Sequence, residues 1–196
     1  MAKHTLSVLV ENKFGVLAHV AGLFSARGWN IQSLSVGETD DPSLSRMVIV
    51  VDGDERTLEA IKKQLNKLIN VIKVMDLTHT HFVDRELILI KVAPLTPQAR
   101  DEVVQIASAT QAQVIHADSR ILALELVGAQ EKIDALVELL RPFNVKEIVR
   151  TGRVAMQLDG EGIHGKKESS HEALKPQKRF KSGEGKAITD VDRFDA

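Results

Sequence analysis

The sequence predicts an α+β protein: two tandem ferredoxin-like βαββαβ domains followed by a polar tail. Three observations carry that reading. Apolar residues either alternate in short runs or recur every three or four positions, in the order strand, helix, strand, strand, helix, strand, twice over. The halves also align on each other: "MVIVVDGDERTLEAIKKQLNKL" lies over "ALELVGAQEKIDALVELLRPF", with Gly53 matched to Gly128. Beyond Asp159 the periodicity stops. The expected organisation is therefore residues 1–78, residues 79–158, and a tail over 159–196 that is rich in Gly, Lys, Glu and Ser. Too little apolar surface is present in that tail to offset its chain entropy, so it is read as disordered or peripheral.

Each element follows from local pattern. "HTLSVLVE" is a strand, and Val16 to Arg27 form a helix with Leu17, Val20, Ala21 and Phe24 predicted on its inward face. Gly28 after basic Arg27 fits a left-handed C-terminal cap. "NIQSLSVGE" alternates as a half-buried strand, "DDPS" is a turn, and "RMVIVVDG" is a buried strand. A second helix is expected from about Glu55 to Lys67, with Leu58, Ile61, Leu65 and Leu68 inward, before the strand "NVIKVMDL". In the second half "RELILIKV" is a strand, and Thr96 with Pro97 opens a helix as cap and N1 residue. "QAQVIHAD" and "ILALELVG" form a strand pair around "SR". A helix with Ile133, Leu136, Val137 and Leu140 inward follows, ended by Pro142, and "VKEIVRTGRV" is read as one closing strand.

Composition narrows the function. The chain of 196 residues has a hydrophobic share of 43%, a charged share of 27% and a formal net charge of -1, as an ordinary globular protein does. No basic footprint points to nucleic acid or to an anionic membrane. No apolar run reaches membrane-spanning length or resembles a leader, so a cytoplasmic location is expected. With no Cys and no Tyr, disulfides, thiolate metal sites and Cys or Tyr chemistry are excluded. RNA-recognition domains share this strand order but stack bases on aromatics of the central strands. Here those strands are "TLSVLVE" with "MVIVVDG", and "LILIKV" with "LALELVG", and none carries an aromatic.

The loop "ENKFG" is the strongest candidate site. A helix start offers unpaired N–H groups and a positive dipole end, which suit a carboxylate. Gly15 removes a side chain from the approach, Asn12 can both donate and accept, and Asn30 is expected near the same corner. The competing reading is that Asn12 caps the helix and Asn30 makes a turn. His79 and His81 lie two apart without an evident third ligand, His19 and His116 stand alone, and Asp40-Asp41 belong to a turn. No phosphate loop or Ser-His-Asp arrangement occurs, and no metal site is expected.

The stretch "LVENKFGVLAHVAGLFSARGWNIQSLSV" followed by "TDDPSLSRMVIVV" resembles the regulatory (small) subunits of acetolactate synthase, or acetohydroxyacid synthase. The likeness runs from about Leu6 to Val154. It marks the first half as an ACT domain, and "DRELILIKV" is similar to the start of the family's C-terminal domain. The resemblance implies a subunit with no active site or cofactor of its own. Its partner would be a catalytic (large) subunit carrying thiamine diphosphate, Mg2+ and FAD. The small subunit would raise that activity and confer feedback inhibition by a branched-chain amino acid, usually valine, in branched-chain amino-acid biosynthesis. Valine would sit between two ACT domains of a homodimer, on Asn12, Gly15, Val16 and Leu17 of one copy and Asn30 and Ile31 of the other. Val16 would line the narrow part of that pocket. A stand-alone ACT-type amino-acid sensor of a different enzyme and a small acid–base enzyme on this scaffold are the rival readings.

Overall fold

The computed structural model describes residues 2–159. The expectation of a disordered or peripheral tail falls, apart from Asp159, outside the described residues. The first half contains β1 (Ala2–Glu11), α1 (Val16–Arg27), β2 (Ile31–Glu38), β3 (Leu44–Gly53), α2 (Glu55–Leu65) and β4 (Val71–Asp76). The second contains β5 (Phe82–Val92), α3 (Pro97–Thr110), β6 (Gln113–Ala117), β7 (Leu122–Gly128), α4 (Gln130–Leu140), a 3-10 turn (Arg141–Phe143), β8 (Val145–Arg150) and β9 (Val154–Gln157). The sheets run β2-β3-β1-β4 and β6-β7-β5-β8, with every neighbour antiparallel. This is the βαββαβ architecture expected twice, with the central strands as assigned.

Strand alternation builds each core. Leu6, Val8 and Val10 of β1 and Met47, Ile49 and Val51 of β3 point to the helices, where they meet Val16, Val20 and Phe24 of α1 and Leu58, Ile61 and Leu65 of α2. The second half repeats the plan: Ile88, Ile90 and Val92 with Leu122, Leu124 and Leu126 pack against Val103, Ala107, Ile133, Leu136 and Leu140. The match of Gly53 to Gly128 has a steric cause. A Cβ on Gly53 would come within 3.0 Å of Thr57, and one on Gly128 within 3.2 Å of Lys132, so both helices press on the strand end they follow.

The structure corrects three local expectations. In α1, Leu17 is 45% exposed and Ala21 is exposed too; the inward face is Val16, Val20 and Phe24, one position round the helix. The helix α2 stops at Leu65 rather than Lys67, where Asn66 Nδ2 donates to Lys62 O at 2.9 Å. The closing segment is two strands. Thr151 to Arg153 break it, and β9 turns to pair with Phe82–Arg85, the start of β5, beyond the stretch that β8 covers.

That break has a consequence for the first sheet. Its face away from the helices carries Val48 and Met75, and these are covered by Leu77, Phe82 and Ala155. Strand β1 is therefore buried on both sides from His4 to Val10.

Candidate functional site

The start of α1 lacks what the other early helices have. Asp54 accepts from Thr57 N–H at the start of α2, and Thr96 accepts from Ala99 N–H at the start of α3. At α1 the capping position is Gly15, which offers no side-chain hydrogen bond, and the first turn holds no acidic residue. Val16 N–H reaches back to Lys13 O at 3.4 Å and His19 N–H donates to Gly15 O at 2.9 Å. The first-turn N–H groups between them keep their donor capacity at the positive end of the helix dipole.

Gly15 has a backbone reason to be glycine, and the chain leaves the space beside it open. Its φ is 83°, in the left-handed region that favours glycine, and an added Cβ would meet nothing within 4 Å. Phe14 beside it is fully exposed and Leu17 is half exposed, so the helix start presents apolar surface next to free donors. The side chain of Val16 is buried in the core, so in this fold only its main chain faces the loop.

Asn12 does not cap the helix. Its Nδ2 donates to Pro42 O at 2.9 Å and to Glu38 Oε2 at 3.3 Å, while its backbone N–H donates to Ser43 O at 2.6 Å. Asn12 thereby ties the "ENKFG" loop to the β2–β3 turn, where Asp41 accepts from the backbone N–H and hydroxyl of Ser43. Glu11 next to it has its carboxyl held below the usual range by hydrogen bonds from Asn70 and then Lys13.

Within one chain, Asn30 is not at this corner. Strand β2 runs with Glu38 beside Asn12, whereas Ile31 pairs with Val51, whose other neighbour is His4 near the start of β1. Eight residues of strand lie between the two ends, roughly 25 Å at strand rise. The fold unites Asn12, Gly15, Val16 and Leu17 and separates them from Asn30 and Ile31. The expectation overlooked that β2 runs parallel to β1 across β3, which sends its first residue to the opposite end of the sheet.

Asn30 and Ile31 instead line a cleft of about 600 Å³ whose other wall includes Gln130, Arg150, Thr151, Gly152 and Arg153. Arg153 was not singled out from sequence. The signal available was the glycine inside "RTGRV", which marks a break in a strand run. The histidine pair separates: His79 faces Glu55 at 3.4 Å and His81 faces Asp159 at 3.4 Å. Among the described residues no three metal-ligating side chains come together.

Residues 6–73 match the family described as AHAS small subunit-like ACT domain, and residues 85–159 match the family described as small subunit of acetolactate synthase. The chain belongs to the acetolactate synthase small-subunit family. It is 48% identical over 160 residues to the acetolactate synthase small subunit of Mycobacterium bovis, covering 82% of this chain and 95% of that one. The Aquifex aeolicus small subunit is 46% identical over 155 residues, 79% of this chain and 81% of its own. The crystal structure of the Thermotoga maritima small subunit superposes with a TM-score of 0.74 at 40% identity, over 82% of this chain and all of that one. Membership makes this chain a regulatory subunit with an ACT domain, and a small subunit implies a catalytic one. No described helix is long and apolar enough to cross a membrane.

Proposed function

We propose that this small subunit stimulates an acetolactate synthase catalytic subunit and makes it sensitive to feedback by a branched-chain amino acid, valine foremost. The observation that carries the reading is the uncapped, acid-free start of α1 beside Asn12, in the half that matches the small-subunit ACT domain. Its first-turn N–H groups would take the amino-acid carboxylate, and the Asn12 carboxamide would meet its polar end. An apolar niche completed by Leu17 would hold the isopropyl group, where one methylene changes the binding free energy by about 1 kcal/mol.

The separation of Asn30 from Asn12 supports a site shared by two copies. Strand β2 is an edge of its sheet, with one row of main-chain groups unpaired. Antiparallel pairing of two β2 edges about a two-fold axis would set the Ile31 end of one against the Glu38 end of the other. Asn30 and Ile31 of a second copy would then close over Asn12 and Gly15. The chain itself would be non-catalytic, with thiamine diphosphate, Mg2+ and FAD residing in the catalytic subunit.

The test mixes the purified chain with an acetolactate synthase catalytic subunit and follows acetolactate formation with and without valine. Stimulation that valine reverses is expected, and no effect of the chain on the rate would overturn the reading. Light scattering should give at least a dimer at micromolar concentration. A monomer there, with valine still bound, would refute the shared site.

A further inference from the structure

The segment that breaks the closing strand, Thr151 to Arg153, bonds the second half to the first at Ser33 and at Thr5. Gly152 has φ 80°, and a Cβ there would lie 2.7 Å from Ser33 Oγ and 3.5 Å from Leu34 O, so this turn is seated directly on β2. The next backbone N–H, that of Arg153, donates to Ser33 Oγ at 3.0 Å. The Arg153 side chain is only 14% exposed and reaches three further elements. Its Nη1 donates to Thr5 Oγ1 of β1 at 3.0 Å, its Nε pairs with Asp84 of β5 at 3.0 Å, and its Nη2 donates to Gln130 Oε1 at the start of α4.

Where this turn meets β2 matters more than how tightly. The register of β2 on β3 shifts between Ile31 and Ser33, so one residue, Gln32, bulges between them. Ile31 and its neighbour Asn30 face the cleft on one side of the bulge, and Ser33 on the other side carries the Arg153 bond. A bulge absorbs or passes on a small shift of strand register, because it is the point where the ladder is already irregular. On the far side, Gln130 lies four residues before Asp134, which shares Arg150 with Glu86. Arg150 bonds Glu86 through two nitrogens at 2.8 and 2.9 Å and Asp134 at 3.1 Å, so α4, β5 and β8 form one braced unit.

We propose that Gly152 and Arg153 are positioning residues that transmit occupancy of the amino-acid site at Asn30 and Ile31 to the second half of the subunit. The idea rests on the effector reading above and adds to it the route by which the ACT half is heard. Closing Asn30 and Ile31 on a ligand moves the start of β2; Ser33 carries that movement to Arg153; Arg153 passes it to Asp84 and Gln130. Coupling between two regions needs an element in contact with both, and Arg153 bonds Ser33 of β2 on one side and Asp84 and Gln130 on the other.

The experiment uses the full chain, alone and with a catalytic subunit, and valine as probe. Valine affinity is measured by calorimetry, inhibition by acetolactate formation, and local opening by amide hydrogen exchange. In the native subunit valine should slow exchange on β2 and also on β5 and α4. Arg153→Met should bind valine within about threefold of the native affinity, yet its rate at saturating valine should rise at least about fivefold, with protection confined to β2. Ser33→Ala should move the same way to a lesser degree. Asp84→Asn combined with Arg153→Met removes the carboxylate that the single change leaves unpaired, and should behave as the single variant does. Full inhibition of Arg153→Met, or loss of its valine binding, overturns the proposal while leaving the effector reading intact. Absence of valine binding by the native subunit overturns both, and does so in the native arm alone.

Discussion

In the first half, the helix after the opening strand starts at Gly15 without a side-chain cap; in the second, the corresponding helix starts at Thr96, whose hydroxyl accepts from Ala99 N–H, with Pro97 at N1. The sheets differ too. The face of the first sheet away from its helices is closed by Leu77, Phe82 and Ala155, whereas on the second sheet Val127 and Val149 are 52% and 51% exposed on that face. One topology has thus been finished in two ways. The first copy keeps the donors of its first helix open and gives up its free sheet face; the second caps its first helix, though not α4, which starts at Ala129 without a side-chain bond, and leaves its sheet face open. Helix-end donors that a side chain already satisfies cannot also hold a carboxylate, so of these two corresponding helix starts it is that of α1 whose first-turn donors remain available to one.

Four changes test that contrast, from the largest effect down. Leu77→Ala empties part of the covered face and should cost about 2–5 kcal/mol in urea unfolding, while Val127→Ala on the bare face should stay within about 0.5 kcal/mol. Equal losses would mean that the two faces are not differently covered in solution. Gly15→Asp puts a carboxylate and a self-cap where the ligand's own carboxylate would bind. The valine concentration for half-inhibition should rise about 100-fold, equivalent to about 2.7 kcal/mol. Unchanged sensitivity, read as the ratio of rates with and without valine in one preparation, places the pocket elsewhere. Thr96→Ala should cost about 1 kcal/mol of stability and leave valine inhibition untouched, because the Thr96 hydroxyl is spent on the Ala99 N–H.

The smallest effect concerns pH. Hydrogen bonds from the Thr57 side chain and backbone hold the Asp54 carboxyl below its ordinary value of 3.8. Its folded-state pKa is depressed, so the stability that it contributes is present above 3.8 and is lost as pH falls through the folded value. Thr96 does not titrate. Asp54→Asn should therefore flatten a part of the acid limb of the unfolding profile, and Thr96→Ala should lower the profile uniformly; an unchanged acid limb in Asp54→Asn would refute the assignment.

Much of the fold was legible because it rests on period. The alternation in "TLSVLVE" marks a strand and the three- and four-residue spacing in "TLEAIKKQL" a helix with one buried face, and Thr96 and Gly28 mark helix ends through short-range bonds. The face of α1 was misjudged because "VLAHVAGLF" is apolar on more than one side. Its hydrophobic residues exceed what one core contact can bury, and packing chose Val16, Val20 and Phe24.

By itself, the sequence determined the two βαββαβ units, their central strands, the glycine-led start of α1 and the family to which the chain belongs, since local pattern and a long motif suffice for these. Tertiary structure alone decided that Asn12 and Asn30 lie at opposite ends of a sheet, that the last strand breaks at Gly152, and that Arg153 reaches Thr5, Asp84 and Gln130. The reason is physical. Period and capping act over a few residues, whereas strand direction within a sheet and ion pairs across it join residues far apart in the chain, and only their packing brings them into contact.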